Sequence, residues 1–416
     1  MPLVKRRITY RMYPTPAQQE RMTEYKRLHA EIYNAAIQER RDAWRKQHIS
    51  ITKADQEKQL PAIKADRPEF KQLGGHALQE TLRRVDLAFQ AFFRRVKKGE
   101  TPGFPRFKSW RRFKGWTYKS SSNWKFFPGH KSKHGTIELS GIGTIRLRGK
   151  PRQLGTPKTL TVTQKQGRWY ASIVVEFMPE RSSGREGIGF DWGIKSFLTL
   201  DTGETIENPR FLKQGAAKLH RLERAVSRKK RGSRRWKKAK ARVARERERI
   251  ANRRSNFLHQ QSSRLVGRSA LLSTETLTVK NMTASARGTS DQPGKNVRQK
   301  AGLNRNILDT APASFLSMVR YKAEEAGIVL VEVQARKAKP SQTCPWCGAQ
   351  RKKKLSNRRH RCPCGCDMDR DRAAAMVCLN HALYGVGNQP CVEKDVGPSM
   401  KRETATECAS AHFGGR

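Results

Sequence analysis

Five cysteines crowd one stretch near the carboxyl end of the chain and have the spacing of a metal site. Cys-Pro-Trp-Cys-Gly occupies 344–348, and Cys-Pro-Cys-Gly-Cys occupies 362–366. Two thiolate pairs on two tight turns supply four ligands for a tetrahedral Zn²⁺ ion, and a closed four-thiolate site leaves no position for reactive water. We therefore predict one structural zinc ion, with the ligands Cys344, Cys347, Cys362 and Cys364. The second pair is Cys-x-Cys rather than Cys-x-x-Cys, so Cys366 and His360 are alternative ligands.

A second set of residues that could do chemistry is dispersed along the chain. Asp191 lies in the apolar stretch 188–193, Glu275 ends another apolar stretch, and Asp369 and Asp371 stand at the start of a helical pattern. Three carboxylates at the edges of a strand–strand–helix core can chelate two Mg²⁺ ions about 3.5–4 Å apart, which is the geometry that cuts phosphodiesters. A single acid is more often a helix cap or an ion-pair partner, so this pattern alone leaves the role open.

The amino-terminal half alternates helical and strand patterns. A strand is predicted over 4–10, followed by a helix over 16–47 that opens with Thr15 and Pro16. A second helix is predicted over 75–98 because its apolar residues recur at helical spacing. Turn residues divide 135–178 into short alternating strands, which favours a small β-barrel.

The carboxyl-terminal half must position the acids and the cysteines. We predict a strand over 188–193, a hairpin turn at 201–203, one long helix or two over 216–266, and a strand over 328–333. Residues 283–302 have the composition of a flexible connection. A helix over 312–326 is expected to begin with Thr310 or Asp309 as its cap and to end at Gly327. A last helix is predicted over 369–384.

Charge decides the class of partner. The chain has 416 residues, with 87 Lys and Arg against 36 Asp and Glu, for a formal net charge of +51. Such self-repulsion destabilises a compact state unless a polyanion offsets it, and nucleic acid is the expected polyanion. No apolar run approaches the ~18 residues of a spanning helix, and the charged start has no signal-peptide core. With no cysteine before Cys344, a disulfide framework is excluded, and a reducing cytoplasmic location is expected.

Two segments are candidates for contact with nucleic acid. Residues 221–254 hold 17 basic and 3 acidic residues, too lopsided for pairing within a helix to neutralise. Arg234, Arg235 and Lys238 are its candidate contacts. Residues 104–127 alternate basic and aromatic side chains, which can grip phosphate and stack on bases, with Arg106 and Lys108 as candidates. The alternative for this second segment is a set of half-buried strands with solvated basic faces.

These residues carry a resemblance to the TnpB family of insertion-sequence proteins, also called OrfB. Residues 187–197 (Gly-Ile-Gly-Phe-Asp-Trp-Gly-Ile-Lys-Ser-Phe) resemble its first RuvC motif. Residues 274–282 are similar to the second motif and 369–375 (Asp-Arg-Asp-Arg-Ala-Ala-Ala) to the third, with the cysteine ribbon lodged just before the third. Residues 11–16 with Gln18 and Gln19, and 103–108 (Gly-Phe-Pro-Arg-Phe-Lys), are similar to further family signatures. The likeness runs from about residue 5 to 385.

The resemblance implies an RNA-guided DNA endonuclease with an α+β multidomain fold. Its parts would be a β-barrel wedge-like domain (1–12 and 115–180), an inserted helical recognition domain (13–114), an RNase H-like (RuvC) nuclease domain (186–340 and 367–385), a zinc ribbon (341–366) and a disordered tail (386–416). A guide RNA from the transposon end would pair with one strand of a double-stranded DNA target beside a short adjacent motif. Two Mg²⁺ ions on Asp191, Glu275 and Asp371 would serve the cut.

Two departures and two alternatives accompany the resemblance. Pro340 stands where the family often has Thr. The family usually has Asn where this chain has Ala373, which predicts a less ordered site. In motif register the third magnesium ligand is Asp371, with Asp369 its neighbour. A compact type V CRISPR effector shares the same core and is one alternative. A non-catalytic RNA-guided DNA-binding relative is the other, although it would leave the three acids without a role.

Overall fold

The computed structural model describes residues 3–119, 121–129, 134–149, 155–179, 184–354 and 357–386. The chain divides into two compact units, Met1–Pro179 and Glu180–Arg416. The tail expected to be disordered falls outside the described residues after Val386. Within the part of the chain that is described, no helix is both long and apolar enough to cross a bilayer.

The first unit combines a strand-rich body with a helical insertion. Its described elements, in chain order, are β1 (Val4–Tyr13), α1 (Pro16–Gln47), α2 (Lys53–Lys58), α3 (Leu60–Asp66), α4 (Gly75–Lys97), β2 (Gly115–Tyr118), β3 (Trp124–Phe127), β4 (Thr136–Leu139), β5 (Gly143–Leu147), β6 (Thr156–Lys165) and β7 (Arg168–Phe177). The strands join antiparallel in the order β2-β6-β7-β1-β5-β4-β3 and form a near-closed barrel. The predicted barrel is therefore confirmed.

The first helix begins where the sequence predicts. Thr15 and Gln18 form a reciprocal capping box, and Pro16 occupies the first turn, where its missing N–H costs nothing. The Gln18 side chain also donates to the carbonyls of Ile142 and Thr144 at 3.3 and 3.0 Å. These bonds connect the start of α1 to β5 and to the turn before it. Gln18, one of the residues that resemble a family signature, therefore has a structural role.

An aromatic core joins helices and strands in this unit. Trp116 and Trp169 are fully buried and meet edge to face at 6.0 Å, and the ring of His29 from α1 stacks on Trp116. Gly141 sits where α1 crosses the barrel with φ +75°, and a Cβ there would lie 2.2 Å from the Tyr25 hydroxyl oxygen. The turn therefore requires glycine for both conformation and space.

The basic and aromatic segment over 104–127 follows the strand alternative only in its second half. Residues 99–114 contain no strand, and only β2 and β3 lie within 104–127. Asn34 fixes the segment to α1, since its side chain accepts from the Lys108 N–H at 2.8 Å and donates to the Lys108 carbonyl at 3.0 Å. Arg106 and Lys108 are both exposed on this loop.

The second unit is built on a five-stranded mixed sheet. Its described elements, in chain order, are β8 (Glu186–Trp192), β9 (Ser196–Leu200), β10 (Thr205–Glu207), α5 (Phe211–Ser227), α6 (Arg234–Arg268), β11 (Ser269–Glu275), α7 (Val279–Met282), α8 (Val297–Thr310), α9 (Pro312–Ala326), β12 (Val329–Val333), α10 (Ala335–Ala338), β13 (Arg359–Arg361), β14 (Asp367–Asp369) and α11 (Arg370–Tyr384). The sheet order is β10-β9-β8-β11-β12. β9 is antiparallel to β8 and β10, whereas β11 is parallel to β8 and β12. Together with the barrel, this mixed sheet confirms the α+β class.

Three local predictions need correction or refinement. The pattern over 216–266 resolves into two helices, α5 and α6, which contact each other through pairs such as Arg247 with Glu223 at 2.6 Å. The connection predicted over 283–302 turns helical at Val297, because Ile307 packs into the core. The cap of α9 is Ala311, with no side-chain bond, since Thr310 and Asp309 belong to the end of α8. Gly327 ends α9 at φ +69° as expected.

Candidate active site and zinc-ribbon cluster

Two of the candidate acids lie side by side on neighbouring parallel strands. Asp191 is the penultimate residue of β8 and Glu275 is the last residue of β11. Gly189 pairs in register with Ser273, and each acid follows two residues later on its strand. Side chains alternate with period two along a strand, so both carboxylates project from the same face at the carboxyl ends of β8 and β11.

The third acid reaches this face from α11. Helix α11 packs directly on β8 because Gly189 has no side chain: a Cβ there would lie 2.2 Å from the Ala375 carbonyl oxygen. Asp371 lies one helical turn before Ala375. The close approach of the two backbones thus carries Asp371 toward the ends of the strands.

Electrostatics shows that the three acids share one environment. Burial raises the pKa of Asp191 well above its usual value, and the negative charges of Glu275 and Asp371 raise it further. Burial also raises the pKa of Glu275. Crowded carboxylates with raised pKa values are the condition that a divalent cation relieves. Hard carboxylate oxygens at half-buried positions, where water can complete the coordination, suit Mg²⁺.

The oxygen atoms of the three carboxylates lie farther apart than the ligand atoms around a single metal ion. Among the described residues, the groups of three or more ligand atoms lying within 4.8 Å of one another are made of cysteines and a histidine, and the acids are not among them. In a two-metal site the ligands must span ions about 3.5–4 Å apart, so a wider spread is compatible with that arrangement.

Asp369 has a different task from Asp371. It is the N-cap of α11, and its Oδ1 accepts from the backbone N–H of Asp371 at 2.8 Å and from that of Arg372 at 3.3 Å. A carboxylate engaged in two cap bonds stabilises the helix start. The assignment of Asp371 as the ligand stays a prediction, and this geometry favours it over Asp369.

Two arginines beside the acids were not singled out from the sequence. The Nε of Arg370 lies 3.7 Å from a carboxylate oxygen of Asp371, its side chain is largely buried, and its charge partly offsets the rise in the pKa of Asp191. Arg372 donates from Nε to the Asp201 carbonyl at 3.1 Å, which ties the first turn of α11 to the β9–β10 turn. The signal available was their place within the Asp-Arg-Asp-Arg motif.

Ala373 packs against the cysteine ribbon. It is buried in a small cluster with Cys344, Cys366 and Met368. The departure from the family pattern at this position therefore alters packing against the ribbon, and its effect on order at the acids stays a prediction.

The four predicted cysteines come together. Cys344 and Cys364 have their sulfurs 3.6 Å apart, and those of Cys347 and Cys362 are 3.5 Å apart. All four sulfurs lie within 4.8 Å of one another. Tetrahedral zinc with Zn–S bonds of about 2.3 Å separates its sulfurs by roughly 3.8 Å, so the cluster fits the ion. Disulfide sulfurs would be about 2.05 Å apart, which these are not.

Each cysteine pair lies on a glycine-terminated knuckle. The N–H groups of Gly348 and Gly365 donate to the carbonyls of Cys344 and Cys362, both at 3.0 Å, and both glycines have positive φ. The N–H of Cys364 donates to the Cys362 sulfur and is the main cause that lowers the pKa of that thiol, whereas burial raises the pKa of the Cys344 and Cys364 thiols. Such knuckles turn backbone amides toward sulfur and favour thiolate.

The alternative ligands form a second, deeper group. Cys366 and His360 are buried and, with Cys344, also lie within 4.8 Å of one another. This group has three donors and shares Cys344 with the first, whereas the first group has the complete four-thiolate set of a closed site.

The predicted nucleic-acid contacts Arg234, Arg235 and Lys238 are exposed in the first two turns of α6. No acid occupies that first turn, so basic side chains crowd a helix end that is already positive, which is unfavourable without an anion. Glu246 is already paired with Lys218 at 2.9 Å. The start of α6 therefore has uncompensated positive charge.

The fold and sites define a multidomain α+β protein with a barrel unit, a mixed sheet that bears two acids beside a third on α11, and a four-cysteine cluster of the zinc-ribbon kind. Three family models match the chain: "Probable transposase" (OrfB of IS605) over residues 159–286, a Cas12f1-like TNB domain over 313–378, and the helix-turn-helix domain of OrfB of IS605 over 1–48.

Curated relatives extend the match. The chain is 32% identical over 289 residues, 68% of each chain, to InsQ of Escherichia coli strain K12, named as a candidate RNA-guided DNA endonuclease. It is also 32% identical over 358 residues to a candidate RNA-guided DNA endonuclease of Streptomyces pristinaespiralis, covering 85% of this chain and 83% of that one. The chain belongs to the TnpB family, the OrfB proteins of IS605-type elements.

A solved structure shares the fold. A chain from the cryo-electron microscopy structure of a Cas12f1–sgRNA–target DNA complex aligns with a TM-score of 0.56 at 11% identity, covering 91% of this chain and 99% of that chain. The resemblance inferred from the sequence motifs is confirmed by these matches.

Proposed function

We propose that this protein is an RNA-guided DNA endonuclease of the TnpB type, which cuts double-stranded DNA beside a short adjacent motif. The observation that carries the proposal is that Asp191, Glu275 and Asp371, from β8, β11 and α11, lie close enough for the charges of the other two to raise the pKa of Asp191. The names of the curated relatives support guidance by RNA and action on DNA.

Asp191, Glu275 and Asp371 would hold two Mg²⁺ ions. When bound, the ions would activate the attacking water and stabilise the leaving 3′ oxygen. The chain itself supplies rigid positioning, because two ligands lie on paired strands and the third on a helix in backbone contact with β8. Arg370 places one positive charge beside the carboxylates and limits their mutual repulsion.

The cysteine cluster would hold one structural zinc ion. A four-thiolate shell has no open position, so the ion stabilises the ribbon without taking part in cutting. The ribbon is followed by β14, whose last residue is Asp369, and then directly by α11. A folded ribbon therefore fixes the point where the helix bearing Asp371 begins.

The positive charge would hold a guide RNA from the transposon end and its duplex with the target strand. Base pairing reads the sequence, while the protein grips backbone and a short duplex motif. We assign motif reading to the first unit, in the predicted wedge-like (1–12 and 115–180) and recognition (13–114) segments. The nuclease segments are 186–340 and 367–385.

A compact type V effector is the second candidate, favoured by the shared fold with a Cas12f1 chain and by the match over 313–378. The source of the guide separates the two candidates. Sequencing the RNA that copurifies with the protein should return a transcript of the transposon end. Repeats and spacers of a CRISPR array would identify an effector instead.

The cutting activity is tested with that same RNA. The complex is incubated with Mg²⁺ and a plasmid library that carries the guide-matched target beside randomised bases. The wild type should linearise a subset of plasmids that shares one adjacent motif, and Asp191→Asn should bind the same subset without cutting. Binding without cutting by the wild type would identify a non-catalytic relative.

A further inference from the structure

An aromatic cavity in the first unit has no part in the proposed cutting chemistry. It has a volume of about 840 Å³ and lies between α1, residues 49–52 of the loop before α2, helix α4 and the loop that contains Arg106. Cavities of roughly 300–1,000 Å³ are the usual size of small-ligand sites. Six aromatic side chains line it: Trp44, Phe89, Phe92, Phe93, Phe104 and Phe107.

Several of these rings remain open to solvent. Trp44 is 57% exposed, Phe93 56% and Phe107 46%. On α4, Phe89 is buried at the wall of the cavity, and the rings of Phe92 and Phe93 continue along it. Contiguous exposed rings of this kind mark binding surfaces in soluble proteins.

Arginines surround the rings. Arg40, Arg41, Arg45 and Arg106 line the cavity against a single carboxylate, Asp86. Asp86 accepts from Arg40 Nη1 at 3.2 Å, and Arg41 bonds to its neighbour Asp42. Arg45 and Arg106 have no ion-pair partner among the residues that the structure describes. The occupant must therefore combine a flat apolar body with negative charge.

Arg40 is a fixed part of the cavity wall. Its side chain is only 8% exposed and lies over the Phe89 ring at 5.3 Å. Nε donates to Gln56 at 3.0 Å and Nη1 to Asp86, but Nη2 is buried without a hydrogen-bond partner in the described part of the chain. Because Nη2 is buried, an acceptor in the cavity does not reach it, and the exposed Arg45 and Arg106 are the candidate contacts for negative charge.

We propose that this cavity binds one unpaired nucleotide of the guide RNA, with its base among the aromatic rings and its phosphate on the arginines. Stacking on aromatic and guanidinium planes is how single-stranded RNA bases are held. Folded RNA presents such bases in bulges and loops before any target binds, whereas the DNA exposes single-stranded bases only after the guide has displaced one strand. A second copy of this chain is a poor occupant, since a symmetric contact would oppose two sets of arginines.

The loop supports this use of the cavity. Asn34 clamps the Lys108 backbone onto α1 through two hydrogen bonds, and Arg41 lies 5.1 Å from the centre of the Phe107 ring. The loop wall is therefore held in place before a ligand arrives, which lowers the entropic cost of binding.

Direct binding tests the inference, which rests on the proposed function only for the identity of the RNA. The probe is a fluorescent RNA hairpin with one bulged adenosine, compared with the same hairpin with an abasic bulge. Without Mg²⁺, the full-length wild type should bind the bulged hairpin about 10-fold more tightly, the range expected for one stacked base. Phe107→Ala and Trp44→Ala should each remove most of that difference. Phe127→Ala, an exposed ring on β3 outside the cavity, should retain it.

Further experiments distinguish the proposed RNA base from other occupants of the cavity. A photo-crosslinkable uridine in the bulge should crosslink to peptides that contain Trp44 or Phe107, which also tests the wild type if a variant fails to fold. Equal affinity for the bulged and abasic hairpins would overturn the proposal. An equal gain with a DNA hairpin would overturn the assignment to RNA, and dimers of the wild type that Phe107→Ala dissociates would favour a second copy. Asp191→Asn should keep the base preference, so a failure of cutting and a failure of base binding are distinguishable.

Discussion

The carboxylate of Asp369 accepts the backbone N–H of Asp371 at 2.8 Å, so one acid caps the helix whose first turn presents the other. The two acids of the Asp-Arg-Asp motif thus divide their roles: Asp369 sets where α11 begins, and Asp371 contributes negative charge to the environment of Asp191. Substitutions that separate charge from capping can resolve the two roles.

We expect Asp371→Asn to lower the cleavage rate by at least about 100-fold, more than the 10–100-fold typical of losing an outer-shell partner. Asp369→Asn should cleave within a few-fold of the wild type, because asparagine also caps helices well. The measurement is single-turnover cleavage with saturating guide and target, alongside target binding, which both variants should retain. If Asp371→Asn cut normally and Asp369→Asn did not cut, the third magnesium ligand would be Asp369 instead of Asp371.

The contact between β8 and α11 gives a second prediction. Gly189→Ala should destabilise the second unit by about 1–3 kcal/mol through overpacking, because its Cβ would clash with the Ala375 carbonyl oxygen. Cleavage should fall as well, since Asp371 moves with the helix. Gly187→Ala is the matched control on the same strand, as its Cβ would lie 3.5 Å from the Leu379 side chain, an ordinary contact. Urea unfolding of both variants checks this, and equal stabilities would contradict the close packing.

Metal analysis tests the ribbon. The purified protein should contain one zinc ion per chain, and Cys347→Ser should lose it and melt at lower temperature, because structural zinc contributes folding free energy directly. Cys364→Ser should behave likewise, whereas Cys366→Ser should retain zinc. Zinc kept by Cys364→Ser but lost by Cys366→Ser would assign the fourth ligand to the deeper group.

A buried histidine predicts a pH dependence of stability in the first unit. Burial lowers the pKa of His29 to about 3, while the unfolded chain protonates near 6.5, so the unfolded state binds the extra proton between these values. The free energy of unfolding should therefore be highest above pH 6.5 and should decline as the pH falls below it. This one group contributes at most about 1.4 kcal/mol per pH unit to the decline. His29→Asn should cost about 2–4 kcal/mol at pH 8, and its deficit should shrink below pH 6.

Urea unfolding followed by tryptophan fluorescence measures this effect, because Trp116 stacks on His29. His76→Asn, at an exposed position on α4, is the matched control for replacing a histidine. A His29→Asn deficit that does not change with pH would show that His29 protonates equally in both states.

The basic residues at the start of α6 should strengthen nucleic-acid binding through their charge without recognising the base sequence. Combined Arg234→Ala, Arg235→Ala and Lys238→Ala should weaken guide-RNA or target binding and lower the salt slope by about one for each phosphate that is no longer neutralised. Preference for the adjacent motif should not change. Arg247→Ala, whose side chain already pairs with Glu223 at 2.6 Å, is the control. Binding of matched and motif-mutated targets across a salt series gives both readouts; an unchanged slope would mean the three side chains face only solvent.

Strong local signals in the sequence predicted most elements well. The Thr15 and Gln18 box marks the start of α1, Gly327 ends α9, and the Cys-x-x-Cys-Gly pattern sets the first knuckle. Errors occur where local signals are weak. The helix Val297–Thr310 depends on burying Ile307 in a distant core, and the basic segment before β2 is held as a loop by Asn34 rather than by its own alternation.

Residue chemistry by itself predicted a nucleic-acid partner and the cysteine cluster, because charge excess and thiol spacing are properties of the linear chain. The joint role of the three acids was predicted only through the resemblance of their motifs to the TnpB family. Tertiary structure alone decided how each residue is used. The register of β8 with β11 placed Asp191 beside Glu275, and the missing Cβ of Gly189 brought α11 onto them. The arginine-rimmed aromatic cavity likewise joins residues from four separate segments. Such arrangements arise from the packing of distant elements, which no local pattern encodes.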